Sequence, residues 1–196
     1  MARPRLSEDT RRRLLEVSAA QFLRQGYHGT GIKDLLDRVE IPKGSFYNYF
    51  PSKEALGVAT IEYTARCTAA ALTSAFDGAP DPLSGVRAFF ESLLAHFEDN
   101  DFTGGCLLAN LACELDDSET CRVAISVAYR QWRDGLAGPL AAAQAAGTVR
   151  DDVPAEELAD TLIEAWEGAV IRMKVDRSAA PLRRCMRLLL DGYLRP

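Results

Sequence analysis

Residues 30–56 read TGIKDLLDRVEIPKGSFYNYFPSKEAL, and this stretch decides the fold of the N-terminal part of the chain. Apolar residues at helical spacing predict a short helix just after Thr30. Pro42 suits the first turn of a helix, so we expect it to be the first helical residue of a second short helix, which continues over 43–50. Two short helices joined by a tight turn form a helix-turn-helix arrangement.

The same helical periodicity continues through the rest of the chain. The sequence has 196 residues, 47% of them hydrophobic and 26% charged, which are ordinary globular proportions. Sustained period-two alternation and hairpin turn pairs are almost absent, so strands are not expected. The sequence predicts an all-α fold of about nine helices. We expect residues 1–54 to form a three-helix domain and residues 55–196 a helical second domain.

Charge is divided unevenly between these two parts. The net charge of −5 argues at first sight against a nucleic-acid partner. Residues 1–54, however, carry ten basic and seven acidic side chains, a balance of +3, which leaves −8 for the remainder. Such a split indicates a polyanion-binding module on an acidic body, although a solvated charged helix face explains +3 equally well.

Targeting and metal-binding signals are not apparent. The N-terminus lacks an apolar core of signal-peptide length, and no apolar run is long enough to cross a membrane, so a cytoplasmic location without membrane contact is expected. The five cysteines include no CxxC pair, and there are only two histidines. Neither a disulfide framework, a metal site, a cofactor site nor a set of catalytic residues is therefore predicted.

The run KGSFYNYFPSKE at 43–54 resembles the DNA-binding domain of the TetR family of bacterial transcriptional regulators. This resemblance implies a helix-turn-helix domain followed by a helical ligand-binding and dimerisation domain. It also implies a homodimer, usually a repressor and not an enzyme, that leaves a palindromic double-stranded operator when a small molecule binds. The chain departs from the family pattern at Pro42, where Ser is customary; this change removes a side-chain cap from the recognition helix.

The chemistry of the second short helix suits contact with a DNA duplex. Gly44 allows close backbone approach, Ser45 and Asn48 are short enough to reach base edges, and Tyr47 can meet a thymine methyl or a phosphate. Tyr47 and Tyr49 have the alternative role of packing residues. Arg3 and Arg5 are either a minor-groove arm or a solvated tail. The predicted DNA-binding residues are Thr30, Lys33, Lys43, Gly44, Ser45, Tyr47, Asn48, Tyr49 and Lys53.

A nearly uncharged run, CLLANLAC at 106–113, is the candidate sensing segment. Its two thiols are seven residues apart, which on one helix places them two turns apart on the same face. The run resembles a branch of the family that includes regulators responding to N-ethylmaleimide, reactive chlorine species and acrylate. In the electrophile sensors of this branch, the Cys corresponding to Cys106 is the sensing thiol. The alternative is a pair of small buried apolar side chains. The candidate ligand or thiol-sensing residues are Cys106, Cys113, Asn110, Trp132, Trp166 and Lys174.

The last two predicted helices correspond to the usual dimer interface of the family. Their apolar positions have the alternative role of intramolecular core. Two rival functions stay open at this point: a thiol-dependent enzyme that uses Cys106 with His96, and a TetR-like protein-interaction module that has lost DNA binding. The predicted interface residues are Leu158, Leu162, Ala165, Ala169, Met186, Leu189, Leu190 and Tyr193.

Overall fold

The computed structural model describes residues 7–196, apart from the side chain of Lys43, and over that range the fold is all-α without strands. The predicted arm of Arg3 and Arg5 lies outside the described residues. The helices are α1 Glu8–Gln25, α2 Ile32–Val39, α3 Lys43–Tyr49, α4 Lys53–Phe76, α5 Pro82–Asp99, α6 Leu107–Glu114, α7 Glu119–Ala145, α8 Ala155–Asp176 and α9 Ala180–Leu188, followed by a π-helical turn over Leu189–Tyr193.

Local signals in the sequence set several of these helix ends. The Ser7 hydroxyl accepts a hydrogen bond from the Thr10 amide at 3.3 Å and caps α1, which ends at Gly26 in a positive-φ conformation. Ser52 caps α4 in the same way, since its hydroxyl accepts from the Ala55 amide at 3.0 Å. Each of these three residues, Ser7, Gly26 and Ser52, is of a type that favours the helix end at which it lies.

Two predicted helix boundaries are wrong. Pro42 is not the first residue of α3, because its ψ of 143° is extended and makes it the N-cap residue. Cys106 is not part of a helix with Cys113, because α6 begins only at Leu107, after two positive-φ glycines at 104 and 105. The argument that both thiols share one helix face therefore fails.

The chain divides into two compact units, and the division falls within α4 and α7. In the described part of the chain, the first unit comprises residues 7–64 with Leu107–Ala128, and the second comprises Ala65–Cys106 with Tyr129–Pro196. The predicted division into 1–54 and 55–196 concerns function and stays a prediction. The core of the first unit contains fully buried side chains from each of its helices, among them Leu14, Phe22, Leu35, Phe46, Leu56, Ile61 and Leu111.

The core of the second unit is built mainly by α5, α7, α8 and α9. Aromatic rings lie at its centre: Phe90 packs against Trp166 with ring centroids 4.9 Å apart, and Phe89 packs edge-on against Trp132 at 6.1 Å. The Arg87 guanidinium forms an ion pair with Asp191 near the end of the chain. Among residues 7–196, no helix combines the length and apolar character needed to cross a membrane.

Candidate functional site

The short helix α3 has one buried face and one exposed face. Phe46 and Phe50, one turn apart, are 0% and 2% exposed, and their ring centroids lie 6.0 Å apart. Tyr47 is 60% exposed although its ring packs edge-on against Phe46. Asn48 is also exposed, and a Cβ placed on Gly44 would meet no atom within 4 Å. The outward face of α3 is thus open to a partner.

A tight turn holds α3 behind α2. Leu35, Leu36 and Val39 anchor α2 in the core, and Glu40 ends it in the left-handed conformation at φ 60°. The Ile41 amide then donates a hydrogen bond to the Leu36 carbonyl at 3.1 Å, and the next residue, Pro42, is the N-cap of α3. Few residues and several fixed dihedrals separate the two helices, so their relative orientation is well defined.

Two of the predicted DNA contacts use their polar atoms inside the first unit. Thr30 is 1% exposed, and its hydroxyl donates to the Gly26 carbonyl at 2.7 Å; Gly31, not Thr30, is the N-cap residue of α2. The Lys53 ammonium donates to the Tyr27 carbonyl at 2.6 Å and lies 4.3 Å from the Tyr27 ring centroid. Burial lowers the pKa of Lys53, against the opposite effect of Glu114.

The other predicted contacts have differing exposure. Lys33, Tyr47 and Asn48 are exposed, whereas Ser45 and Tyr49 are half-buried. In the neighbouring basic run of α1, Arg11 lies over the Phe50 ring at 5.3 Å, Arg12 forms ion pairs with Asp9 and Glu16, and Arg13 is exposed. The structure therefore brings the predicted reading residues of α3 together on one surface, with cations from α1 and α2 also exposed.

The C-terminal residue of α6, Glu114, contacts the α1–α2 turn, and sequence analysis missed it. Its carboxylate accepts a hydrogen bond from the His28 amide at 3.1 Å, and its backbone carbonyl lies 2.9 Å from the His28 ring Nε2. A Cβ on Gly26 would come within 2.7 Å of the same carboxylate. The one available signal was an acidic residue at the end of the apolar 106–113 run.

A second polar group of residues lies in the second unit, around Cys106. Cys106 is half-buried, and its thiol faces the hydroxyl of Tyr129 and the carboxyl of Glu167. Burial raises the pKa of Glu167, and the Cys106 thiol and Tyr129 hydroxyl act in the opposite direction. Burial also raises the pKa of Tyr129. Lys174 packs against Gly105, since a Cβ there would lie 2.8 Å from the Lys174 Cδ atom.

The remaining candidate sensing residues fall into separate places. Trp132 and Trp166 are buried in the core of the second unit, whereas Asn110 and Cys113 belong to α6 in the first unit. Cys113 is exposed, so it is not a buried apolar side chain. Tyr129 and Glu167 were not among the residues predicted from the sequence, because both fit ordinary helical patterns. The one sequence signal for them was the single acidic residue, Glu167, between the apolar residues Trp166 and Val170.

Four of the predicted interface residues lie in the chain's own core. Leu158, Leu162, Met186 and Leu190 are at most 8% exposed, whereas Ala165, Ala169 and Leu189 are half-buried and Tyr193 is 38% exposed. The buried four pack in the hydrophobic core of the same unit. Apolar side chains that do reach the surface of this unit are Ile171, Val175 and Leu188, at 59%, 72% and 53%.

A short helix with Phe46 packed inward and with Tyr47 and Asn48 exposed, held behind another short helix by a tight turn, is the arrangement of a helix-turn-helix DNA-binding protein. Residues 14–60 match the sequence profile of bacterial regulatory proteins of the tetR family, and residues 82–189 match that of the tetracyclin repressor-like C-terminal domain. The second match alone spans more than half of the chain, so the chain belongs to the TetR family of transcriptional regulators.

Full-length relatives agree with this assignment. The HTH-type transcriptional repressor DhaR of Mycobacterium sp. (strain GP1) is 30% identical over 94% of this chain and 92% of its own length. The HTH-type transcriptional repressor NemR of Escherichia coli (strain K12) is 32% identical, over 91% and 90%. The crystal structure of reduced E. coli NemR superposes with a TM-score of 0.86 at 31% identity, covering 93% of this chain and 95% of that one. These relatives are regulators, so the alternative of a thiol-dependent enzyme is not supported.

Proposed function

We propose that this chain is a homodimeric repressor that binds a palindromic operator and is released by a small molecule or by modification of Cys106. The observation that carries the proposal is the exposed face of α3, where Gly44, Tyr47 and Asn48 lie outward over a buried Phe46–Phe50 pair. Side chains of this kind on the second helix of a helix-turn-helix read base edges in the major groove. We place this repressor in the cytoplasm, where the operator DNA is.

Roles within the reading surface follow from exposure. Tyr47, Asn48 and Ser45 are proposed as base contacts, and Lys33, Lys43 and Tyr49 as backbone contacts; Gly44 allows the close approach of α3. Lys53 and Thr30 hold the α1–α2 turn with their side chains, so their contribution to DNA binding is to position the surface. Residues 1–54 are proposed as the DNA-reading domain and 55–196 as the sensing and dimerisation domain.

Dimerisation is proposed through the apolar surface of α8 and α9. Ile171 and Val175 are one turn apart on α8, and Leu188 ends α9, which packs against α8. One recognition helix reads few base pairs, so a two-fold pair is needed to bind two half-sites. Members of this family usually dimerise, which supports a second copy of the chain as the occupant of this surface.

A gel-shift titration against the promoter DNA that flanks the chain's own gene tests the operator proposal. The wild type is expected to shift that fragment and to leave a shuffled fragment of equal composition unshifted. Tyr47→Ala is expected to weaken the shift, while Val123→Ala, an equally exposed apolar position on α7, is expected to leave it unchanged. A failure of the wild type to shift any promoter of neighbouring genes contradicts the proposal.

Sensing through Cys106 is favoured by its position. The thiol is half-buried beside two titratable side chains and directly precedes α6, whose C-terminal Glu114 contacts the α1–α2 turn of the reading domain. Treatment with a thiol-reactive electrophile is expected to release wild-type protein from its operator. The same treatment is expected to leave Cys106→Ser bound, while Cys113→Ser behaves as the wild type. Equal release of Cys106→Ser contradicts sensing at this residue.

A further inference from the structure

The carboxyl group of Glu167 is enclosed inside the second unit. Glu167 lies on α8 between the buried side chains of Trp166 and Val170. Both of its oxygens are inaccessible to solvent, and neither forms a hydrogen bond of regular geometry with the described residues. A buried polar group without full partners costs free energy, and native proteins retain few of them. The position of this carboxyl group therefore calls for a functional reason.

The titratable groups that face Glu167 come from two other segments. The Cys106 thiol, from the loop before α6, and the Tyr129 hydroxyl, from α7, both contact the carboxyl group. Lys174, two turns further along α8, packs against Gly105. Glu164, one turn earlier on α8, is exposed. A thiol and a carboxyl group thus share an enclosed site with one phenol.

The chemistry of a thiol in such a site depends on where its proton goes. The thiolate is the nucleophile, and a buried thiol has little water to accept the proton. A carboxylate is an effective base when burial brings its pKa towards the working pH, as the surroundings of Glu167 do. We propose that Glu167 accepts the proton of Cys106 and thereby activates this thiol towards electrophiles; this rests on the proposed function of Cys106.

The step balances with a simple electrophile such as iodoacetamide. The Cys106 sulfur attacks the methylene carbon, the new S–C bond forms as the C–I bond breaks, and iodide leaves with the electron pair. The thiol proton passes to the Glu167 carboxylate, which holds it as a neutral carboxylic acid. Glu167 acts on the electrophile only through Cys106 and is therefore a positioning residue that sets the protonation state of the thiol.

Removing the Glu167 carboxylate changes the alkylation rate of Cys106 in opposite directions for the two roles that the carboxylate can have, a proton acceptor or only a nearby negative charge. If Glu167 were only a negative charge beside the thiol, its loss would favour the thiolate and speed alkylation, because like charges disfavour each other's ionisation. If Glu167 accepts the proton, its loss slows alkylation most where hydroxide is scarce. The direction of the rate change at neutral pH therefore decides between the two.

The test measures the alkylation rate of each cysteine by iodoacetamide in the full-length protein, using peptide mass spectrometry between about pH 6 and pH 9. In Glu167→Gln, the rate at Cys106 is expected to fall about tenfold or more at neutral pH, with the difference from wild type shrinking as the pH rises. The exposed Cys67 and Cys113 are reference thiols in the same chain, and their rates are expected not to change. Glu164→Gln is the matched control and is expected to behave as the wild type.

An equal or faster rate at Cys106 in Glu167→Gln at neutral pH overturns the proposal, as does a slower rate that is constant across the pH range. If Glu167→Gln fails to fold, Glu167→Asp is used for the same test, because aspartate keeps the carboxylate but places it one methylene further from Cys106. The alkylation rate of Cys106 in this variant is expected to lie between those of the wild type and a chain without the carboxylate. An unchanged rate overturns the proposal. Operator binding by the alkylated wild type is measured separately. If the alkylated protein still binds its operator, Cys106 is not the sensor, but the effect of Glu167 on the alkylation rate of Cys106 is unaffected by that result.

Discussion

Phe46 and Tyr47 are adjacent aromatic residues on α3 with opposite surroundings. Phe46 has no exposed surface and packs against Phe50, whereas Tyr47 is 60% exposed. Phe46 and Phe50 are four residues apart, a spacing that places both on one face of a helix, and that face is buried. The exposure of Tyr47 was one of two alternatives left open by the sequence, because an aromatic ring suits either packing or recognition. Tertiary contacts alone decide between them.

Exchange of each aromatic residue for alanine is expected to separate stability from DNA binding. Phe46→Ala is expected to lower the free energy of unfolding by about 3–5 kcal/mol, since it empties a packed site. Tyr47→Ala is expected to leave stability within about 0.5 kcal/mol and to raise the Kd for operator DNA about tenfold or more. Urea denaturation and fluorescence anisotropy measure the two effects. Marked destabilisation by Tyr47→Ala contradicts its assignment to the reading surface.

Two glycines of the reading domain are expected to respond differently to alanine. Gly26 has a φ of +76°, and a Cβ there would come within 2.7 Å of the Glu114 carboxylate. Gly26→Ala is therefore expected to lower the free energy of unfolding by about 1–3 kcal/mol. Gly44 has open space around it, so Gly44→Ala is expected to keep or slightly raise stability while weakening DNA binding. Thermal unfolding and operator titration check both; equal stability of the two variants speaks against the strain at Gly26.

Burial of Glu167 is expected to make stability depend on pH. Because its pKa is raised above the ordinary 4.5, the folded chain binds its proton more tightly than the unfolded chain does. This contribution to stability is complete below the ordinary value and is lost as the pH rises through the raised pKa. Glutamine does not titrate, so Glu167→Gln is expected to gain stability relative to wild type over that range. Urea denaturation at a series of pH values measures the gain, with Glu164→Gln as the exposed control; parallel curves for Glu167→Gln and wild type contradict the raised pKa.

Helix boundaries show how far local sequence signals reach. Ser7, Gly26 and Ser52 act through their own backbone neighbourhood, so their caps were predictable. Cys106 was assigned to a helix because the 106–113 run is nearly uncharged and has no helix breaker, whereas α6 starts only after Cys106, which follows two positive-φ glycines. Pro42 satisfies either an N-cap or a first-turn position, and the extended ψ follows from the turn that packs α2 against α3.

The predicted dimer interface was limited by a similar ambiguity. Periodic apolar residues identify a buried helix face but do not say whether the chain's own core or a second copy covers it. Leu158 and Leu162 are buried within the chain's own second unit, whereas Ala165 and Ala169 on the same helix are half-buried; which residues touch a second copy stays a prediction. The side chains of Ile171 and Val175 on the outer surface became evident only from the packing.

A charged residue in the apolar surface formed by Ile171, Val175 and Leu188 is expected to dissociate the proposed dimer. Ile171→Lys is expected to shift the protein to a monomer in analytical ultracentrifugation, because a charge would be buried in an apolar contact. The monomer is expected to bind its operator much more weakly, since it offers one recognition helix. Val123→Lys on α7, at 55% exposure against 59% for Ile171, is the matched control and is expected to stay dimeric. A dimer that survives Ile171→Lys contradicts the proposed interface.

The whole molecule combines a basic reading domain with an acidic remainder. The balance of +3 in residues 1–54 against −8 elsewhere favours the approach of DNA to the proposed reading domain. Operator affinity is therefore expected to fall with added salt, on the order of a hundredfold between roughly 50 and 200 mM. Lys33→Ala is expected to reduce this salt dependence, whereas Arg66→Ala, which removes the same charge from an exposed site on α4, is expected to leave it unchanged. Equal effects of both variants contradict a localised contact.

Hydroxyl-radical footprinting of the shifted promoter fragment tests most directly whether α3 of two copies reads one operator. We predict two protected patches related by dyad symmetry, with centres about one helical turn or a multiple of it apart, and loss of both patches in Tyr47→Ala. A single patch, uniform protection along the fragment, or patches that persist unchanged in Tyr47→Ala would contradict the account.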